Sequence, residues 1–460
     1  KFMSKIRYGI ALLMAKLSVI ALKIARRNGT NFPGLLAIKI CPDFLAHIGK
    51  PNKIIGITGT NGKTTVSNLL VDALEVKGIS VLNNRLGSNI HFGIATSLLR
   101  GANIFGRSNY DMAVLEIDER AIPKILPYIK PQYMLVTNLF RDSIKRNAHT
   151  GYIAKILDEN IPGETKLILN ADDLISARLC KGNDRVYFGI TRMDSDRTES
   201  INIINDITLC PVCRHKLKYE YLRYHHIGKA YCSYCGFKAP EYDYYGSNAD
   251  LEKMTIEIGD NEEKLTYKLM SDGVHNIYNL VSCVAVLKEL GISYQESREM
   301  LDKVEIVGSR YSKELCGDVF VANQMAKENN ALGSSRAFDY VAGQKGDKEL
   351  ILMMNCLGDE KTWSENTSWL YDCDFEYLNN ESIKRIIVTG PRGKDYHLRL
   401  LLAGVPEEKI IWVKSEIDAP DKLKYTKGES IFVFYGTDSI ALGERVLAKI
   451  KDIARKRRVH

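Results

Sequence analysis

The 460-residue chain lacks several features that would assign its class at once. It has no low-complexity tract and no internal repeat beyond two α/β patterns in tandem, which argues against fibrous and solenoid architectures. It has no helicase-like motif beside its glycine-rich loop, so a nucleic-acid motor is not expected. Nor does it have an uninterrupted apolar run that would make a good membrane span. Ile6 to Ile24 is rich in Ile, Leu, Ala and Val, but Lys16 breaks it, and Lys23, Arg26 and Arg27 follow. No Ala-x-Ala pattern closes that stretch, so a cleaved signal sequence is not expected either. Residues 1–50 read instead as an amphipathic helical segment that packs on the body, the favoured reading, or lies on a membrane surface. A disulfide framework is also missing. Four of the ten cysteines fall in two C-x-x-C pairs, and Cys41, Cys180, Cys283, Cys316, Cys356 and Cys373 are scattered. That usage suits a reducing cytoplasm, at the inner face of the membrane if the helix touches lipid.

What remains is the composition of an ordinary globular protein, long enough for two or three domains. A formal charge of +8 favours anionic partners without choosing among them. The most informative stretch runs from Lys53 to Thr65. Apolar residues Ile54 to Ile57 lead into Gly-Thr-Asn-Gly-Lys-Thr-Thr, and Val66 to Lys77 continues with helical spacing. Strand, glycine turn and helix together make a phosphate cradle. Gly59 and Gly62 turn backbone N–H groups toward the ligand, Thr60, Asn61 and Thr65 complete the loop, and the helix start adds positive potential. Lys63 is expected to reach the outer phosphates of ATP, and Thr64 to hold Mg²⁺. The strict pattern misses by one position, because residue 57 is Ile and the glycine stands at 56.

Strand and helix signals alternate beyond the loop, which predicts an α/β fold with a largely parallel sheet and ligands at the C-terminal strand ends. Val114-Leu-Glu-Ile-Asp-Glu119 places Glu116 at such an end, where a carboxylate can bind Mg²⁺ opposite the loop. Thr137-Asn138 and Leu169-Asn-Ala-Asp-Asp173 end two more strands in the same way. Cys210, Cys213, Cys232 and Cys235 form a C-x2-C-x18-C-x2-C pattern. Two knuckles at that separation predict a closed, structural four-cysteine zinc ribbon, inserted at about residues 206–240. Tyr219, Tyr221 and Tyr224 alternate with basic residues around it, but such spacing reads as strand packing and no nucleic-acid partner is expected. Gly273-Val-His-Asn starts an apolar helix, so His275 and Asn276 can contact a nucleotide or cap the helix. Val304 to Tyr311, with Arg310, reads as an interdomain joint. A second α/β unit with strands from Val319 to Phe434 follows it. The domains are therefore 1–50, a P-loop parallel-sheet central domain at 51–307 and a Rossmann-like α/β C-terminal domain at 308–460.

Together these features resemble the Mur ligase family. Gly-Thr-Asn-Gly-Lys-Thr-Thr65, the Glu116 strand end, Thr137-Asn138 before Arg-Asp, Gly-x-His-Asn and an Arg near the joint follow the family's order. The ribbon inside the central domain narrows the resemblance to the MurT type, the ATP-dependent subunit of lipid II isoglutaminyl synthase. Cys-Gly-Phe-Lys-Ala-Pro240 and Ser-Trp-Leu-Tyr-Asp-Cys-Asp-Phe-Glu376 support it. The resemblance implies an ATP-dependent carbon–nitrogen ligase of peptidoglycan biosynthesis that needs ATP, Mg²⁺ and Zn²⁺. Lys63, Glu116 and Asn366 would carry the chemistry, and Asn138, His275, Asn276 and Arg310 would lie about the nucleotide. It also implies a lipid-linked peptidoglycan precursor as substrate and a GatD-like glutamine amidotransferase as partner, since this chain shows no glutaminase constellation. The UDP-binding domain of typical Mur ligases is expected to be absent. Departures mark a divergent member. Asn366 stands where the family has an acid, Trp363 replaces another, and Ser-Ile-Lys-Arg-Asn follows Asp142. A Mur-type ligase for another amine or acceptor, or a non-catalytic nucleotide-binding paralogue, is the alternative.

Overall fold

A computed structural model describes residues 2–141, 149–304, 311–325, 330–354, 367–436 and 439–457. Asn366, Trp363, Arg310, Cys356 and the stretch from Asp142 to Asn147 lie outside the described residues. The chain divides into two compact units, the first holding most of the residues up to 305 and the second most of those after it.

The first unit opens with α1 (Phe2–Ile24), α2 (Phe32–Ile40) and α3 (Phe44–His47). Ala11, Leu12 and Ala15 on one side of α1 are buried in the main core with Ala37, Phe44 and Leu45. Lys16, which breaks the apolar run in sequence, turns inward. Its ammonium donates to Leu99 O at 2.6 Å and to Ala102 O, where the helix α5 (His91–Gly101) ends. A cation there satisfies carbonyls that the helix leaves open.

The parallel part of this unit's sheet comprises β1 (Lys53–Thr58), β2 (Val81–Asn83), β3 (Met112–Glu116), β4 (Tyr133–Val136), β5 (Lys166–Asn170) and β6 (Arg185–Ile190). β1 is central and pairs in parallel with β3 and β4, and Ile54, Ile55 and Ile57 are buried on both faces. Helices α4 (Lys63–Val76), α6 (Ile122–Ile125) and α7 (Thr150–Asn160) join the strands. A separate hairpin, β7 (Lys218–Tyr224) with β8 (Ile227–Tyr231), carries the ribbon. Strands β9 (Tyr244–Asp250), β10 (Thr255–Gly259) and β11 (Lys264–Lys268) then extend the sheet, β9 pairing in parallel with β6 and β10 running antiparallel to both β9 and β11. Its nine strands run in the order β11-β10-β9-β6-β5-β4-β1-β3-β2. Helices α8 (Val274–Glu289) and α9 (Tyr294–Asp302) complete the unit.

The second unit is built on β12 (Tyr311–Cys316), β13 (Val319–Met325), β14 (Lys348–Met353), β15 (Ile383–Thr389), β16 (Ile410–Val413) and β17 (Ser430–Tyr435). They form a six-stranded sheet in the order β12-β13-β17-β14-β15-β16, parallel except for β12 against β13. Two buried clusters, one on Phe338, Phe375 and Phe434 and the other on Ile351, Ile387 and Val433, make up its core.

Candidate active site and the family it defines

The phosphate loop follows from the end of β1. Gly59 has φ +126° and Gly62 φ +88°, conformations that side-chain-bearing residues rarely adopt. A Cβ at Gly59 would lie 2.2 Å from Thr137 Oγ1, and one at Gly62 would lie 2.3 Å from Asn279 Oδ1. The loop is pinned from the end of β4. Thr60 N–H donates to Asn138 O at 2.7 Å, and Phe140 N–H donates to the Thr60 hydroxyl at 2.9 Å. Asn138 makes a two-way bridge. Its side-chain carbonyl oxygen accepts from Asn61 N–H and its amide donates to Asn61 O, both at 3.1 Å. The Thr137 hydroxyl also donates to Asn61 O, at 2.7 Å. The first N–H groups of α4 have no intrahelical acceptor and face the cradle, and Thr64 and Thr65 are exposed beside them.

The three acidic residues at the exit of β3 part company in space. The Thr64 hydroxyl donates to Glu116 Oε2 at 2.9 Å, and Asn89 donates to Glu116 Oε1 at 2.9 Å. Asn84 clamps the Glu116 backbone, donating to its carbonyl at 2.8 Å and accepting from its N–H at 2.9 Å. Glu116 and Thr64 thus present two hard oxygen donors at the loop edge, a donor set that fits Mg²⁺. Asp118 instead caps a short turn by accepting from Arg120 N–H. Glu119 is buried under Lys63, with its Oε1 3.1 Å from the ammonium, which also donates to Gly59 O. Burial raises the Glu119 carboxyl above the ordinary range, and the neighbouring Lys63 opposes that rise.

From the other side comes the start of α8. Asn276 donates to the Ser271 hydroxyl at 2.6 Å, while His275 is exposed one residue earlier. Asn279, one turn on, is buried against Gly62 and donates to Asn276 Oδ1 at 3.3 Å. Asn279 is not among the candidates read from the sequence, where Glu119 appears with Asp118 at the acidic strand exit but only Glu116 is given a role. The i, i+3 spacing of Asn276 and Asn279 on a helix start is the signal that points to Asn279.

The four ribbon cysteines also converge. Their sulfurs all lie within 4.8 Å of one another, with Cys210–Cys235 at 3.6 Å and Cys213–Cys232 at 3.5 Å. Zn–S bonds of about 2.3 Å in a tetrahedron require sulfurs roughly 3.8 Å apart, so the donor set fits Zn²⁺. No described cysteine is in a disulfide. The ribbon hairpin is fastened to the ends of β5 and β6. Arg223, on β7, pairs with Asp172 at 2.9 Å and Asp196 at 3.2 Å, and donates to Ile190 O and Thr191 O. Tyr242 and Tyr278 donate to Asp172 as well. At the hairpin turn, His226 Nε2 lies 3.1 Å from Asp173, whose other oxygen accepts from Leu139 N–H at 2.7 Å. The His226 ring packs on Phe140 at 4.5 Å. Phe140 is the residue whose N–H holds Thr60, so ribbon and phosphate loop share one support.

This arrangement has relatives. The "Mur ligase middle domain" family description matches residues 57–208, and "MurT ligase C-terminal" matches residues 328–437. The chain is 32% identical over 432 residues to the lipid II isoglutaminyl synthase (glutamine-hydrolysing) subunit MurT of Staphylococcus aureus (strain COL), covering 93% of this chain and 95% of that one. The chain belongs to the MurT family of Mur ligases. The same-named subunit of Streptococcus pneumoniae (strain ATCC BAA-255 / R6) is 31% identical over 392 residues, 83% of this chain and 84% of that one. Among solved structures, a pseudomurein peptide ligase type C from Methanothermus fervidus matches with a TM-score of 0.66 at 22% identity, covering 89% of this chain and 81% of that one. MurF ligase from Thermotoga maritima in complex with ADP matches at 0.56 and 15%, covering 92% and 85%. These structures share the Mur-ligase-like α/β fold. As a MurT-family chain, this protein is an ATP-dependent ligase of peptidoglycan synthesis.

Proposed function

We propose that this subunit activates the α-carboxyl of D-glutamate in the stem peptide of a lipid-linked peptidoglycan precursor and converts it to an amide. The ammonia would come from a GatD-like glutamine amidotransferase, since the Staphylococcus aureus relative is one subunit of a glutamine-hydrolysing enzyme. A carboxylate resists attack by an amine. Transfer of the γ-phosphoryl group forms a carboxyl O–P bond and breaks the bond to the β-phosphate, so that ammonia can then displace phosphate from the acyl carbon. The cradle Gly59–Thr65 binds the phosphates, Lys63 neutralises the transferring group, and Asn138 holds the loop in shape. Thr64 and Glu116 would hold Mg²⁺, which would supply charge neutralisation for the phosphoryl transfer. His275, Asn276 and Arg310 are assigned to the nucleotide. The four cysteines hold structural Zn²⁺. The corresponding domains are 51–307, with the ribbon at 206–240, and 308–460.

The observation that carries this reading is the Thr64–Glu116 pair, 2.9 Å apart at the mouth of the loop that bears Lys63. The test is phosphate release from ATP with lipid-linked stem peptide and ammonium, then with glutamine and the amidotransferase. Release should require both acceptor and nitrogen source. Absence of release with lipid-linked and soluble stem peptides alike would reject the proposal.

Asn366 favours a second reading. An amide side chain can hydrogen-bond an incoming amine but cannot take its proton or orient ammonia by charge, which favours a divergent paralogue with a different amine or acceptor, or one that only binds nucleotide. Turnover with an amino acid but not with ammonium would select the former. No gain on Asn366→Asp, together with no turnover of any amine, would leave a nucleotide-binding subunit.

A further inference from the structure

The apolar residues of α1 divide between two faces. Ala11, Leu12 and Ala15 pack on the body, but Ile6, Ile10, Leu13, Leu17, Ile20 and Ile24 are exposed, Leu13 at 61% and Ile24 at 79%. Their steps of four, three, four, three and four residues put all six on one helical stripe. An unpartnered apolar stripe of this length on a monomeric surface calls for an occupant. Phe32 and Leu35 on the next helix are exposed as well. Near the same helix, residues 103–107 form a tight loop in which Asn103 accepts from Phe105 and Arg107 N–H groups. That loop presents Ile104 and Phe105 at 77% and 74% exposure, while Gly106 lies against Tyr8 and Leu12 of α1.

Charge selects among occupants. The first 42 residues contain eight Lys or Arg and no Asp or Glu. The whole chain has 64 basic and 56 acidic side chains, so removing those eight leaves 56 of each. All of the excess positive charge therefore resides in the first 42 residues, which include the exposed stripe. Lys16 is the cation that turns inward to the body, so it does not interrupt the outward face. A second copy of the helix would set like charges together with no glutamate to pair across the seam. No described helix is long and apolar enough to cross a membrane.

We infer that α1 is an in-plane membrane anchor, its Ile6–Ile24 stripe seated among the acyl chains of an anionic bilayer and its cations on the headgroups. An apolar stripe flanked by basic residues lies in the interface in this way. Each cation at an anionic surface strengthens partitioning about fivefold, and the gain fades with salt. Such a dock would hold the ligase at a lipid surface whatever its acceptor proves to be.

The full-length chain is to be sedimented with vesicles of phosphatidylglycerol and phosphatidylcholine, and with vesicles of phosphatidylcholine alone. Binding is expected to the anionic vesicles, weakening with salt. Leu13→Asp with Leu17→Asp should reduce it by about tenfold or more, and Lys5→Ala with Lys23→Ala roughly twentyfold. Unchanged circular dichroism and melting temperature would show that the variants fold, because none of these four residues is in the buried core. No binding to anionic vesicles would overturn the inference, as would binding indifferent to the leucine substitutions. A concentration-dependent dimer in sedimentation velocity, lost in the leucine variant, would overturn it in favour of self-association.

Discussion

Two ion-pair clusters lie at strand ends of the first unit's sheet, on either side of β4, and they are built for opposite purposes. At the ribbon root, Arg223 is 2% exposed and its acidic partners 0% and 1%. The guanidinium meets two carboxylates, two backbone carbonyls and a tyrosine hydroxyl. Only its Nε, 3.2 Å from Asp196, makes no hydrogen bond, and burial keeps the group away from any ligand in solvent. At the phosphate loop, Lys63 has one buried carboxylate and carbonyls of its own loop, and its side chain is 12% exposed. That ammonium can exchange partners when phosphate arrives. A closed, dry cluster fixes structure, whereas a partly satisfied one beside solvent is free to do chemistry.

The largest expected effect that would sharpen this contrast comes from the metal that fits the ribbon. The ribbon's own apolar core is small, comprising Leu174, Cys210, Leu217, Ala230, Cys232 and Ala239. Zinc binding worth about 10–16 kcal/mol in such modules must supply most of its stability. Cys210→Ser with Cys213→Ser should abolish bound zinc, as measured by atomic absorption, and should expose the hairpin to protease. Because Phe140 packs on His226 and also holds Thr60, the same variant should raise the KM for ATP several-fold. An unchanged KM would uncouple the two clusters.

Next in size is Arg223→Met. Removing the cation leaves Asp172 and Asp196 buried without a partner, a loss of about 3–5 kcal/mol, to be read from urea unfolding. The reverse pattern is expected of Lys63→Ala. Phosphate release should fall about 10²–10³-fold, with the melting temperature moving by only a few degrees. If Lys63→Ala unfolds the protein as readily as Arg223→Met does, the distinction between the clusters is lost.

Much of this was visible in sequence, and the reason lies in spacing. The phosphate loop and the cysteine knuckles are local patterns, and backbone geometry turns their spacing directly into position. The ribbon root is not local. Arg223 and Asp172 are 51 residues apart, and nothing in the alternation of Tyr219, Tyr221 and Tyr224 names that partner. Strands β9 to β11 also went unread, because Tyr-Tyr-Gly-Ser-Asn-Ala-Asp has no clean alternation and its place is set by pairing with β6. Glu116 and Glu119 look alike on paper. Only the turn after β3 sends one to the Thr64 hydroxyl and the other beneath Lys63. Five strands of the second sheet are legible from their apolar runs, but β12, which pairs antiparallel with β13, is not; the acceptor-side residue Asn366 falls outside the described positions, and its role rests on sequence alone.

The smallest effect is a matter of protons. Burial raises the Glu119 carboxyl and Lys63 opposes the rise. A carboxyl that titrates higher when folded binds more protons in the native state, so its contribution to stability declines as pH climbs from the ordinary carboxylate range through the folded value. Glu119→Gln should flatten that decline in urea unfolding followed from acid to neutral pH. When triphosphate draws Lys63 away, the opposing charge weakens and the carboxyl rises further, so nucleotide binding should be accompanied by proton uptake at Glu119. Calorimetric titration with a non-hydrolysable ATP analogue, in buffers of differing ionisation enthalpy, reads that proton directly. Uptake of up to one proton is expected near the folded value and none in Glu119→Gln. If the measured enthalpy is the same in every buffer, Lys63 keeps its hold on Glu119 with nucleotide bound, and the loop cluster is as fixed as the ribbon root.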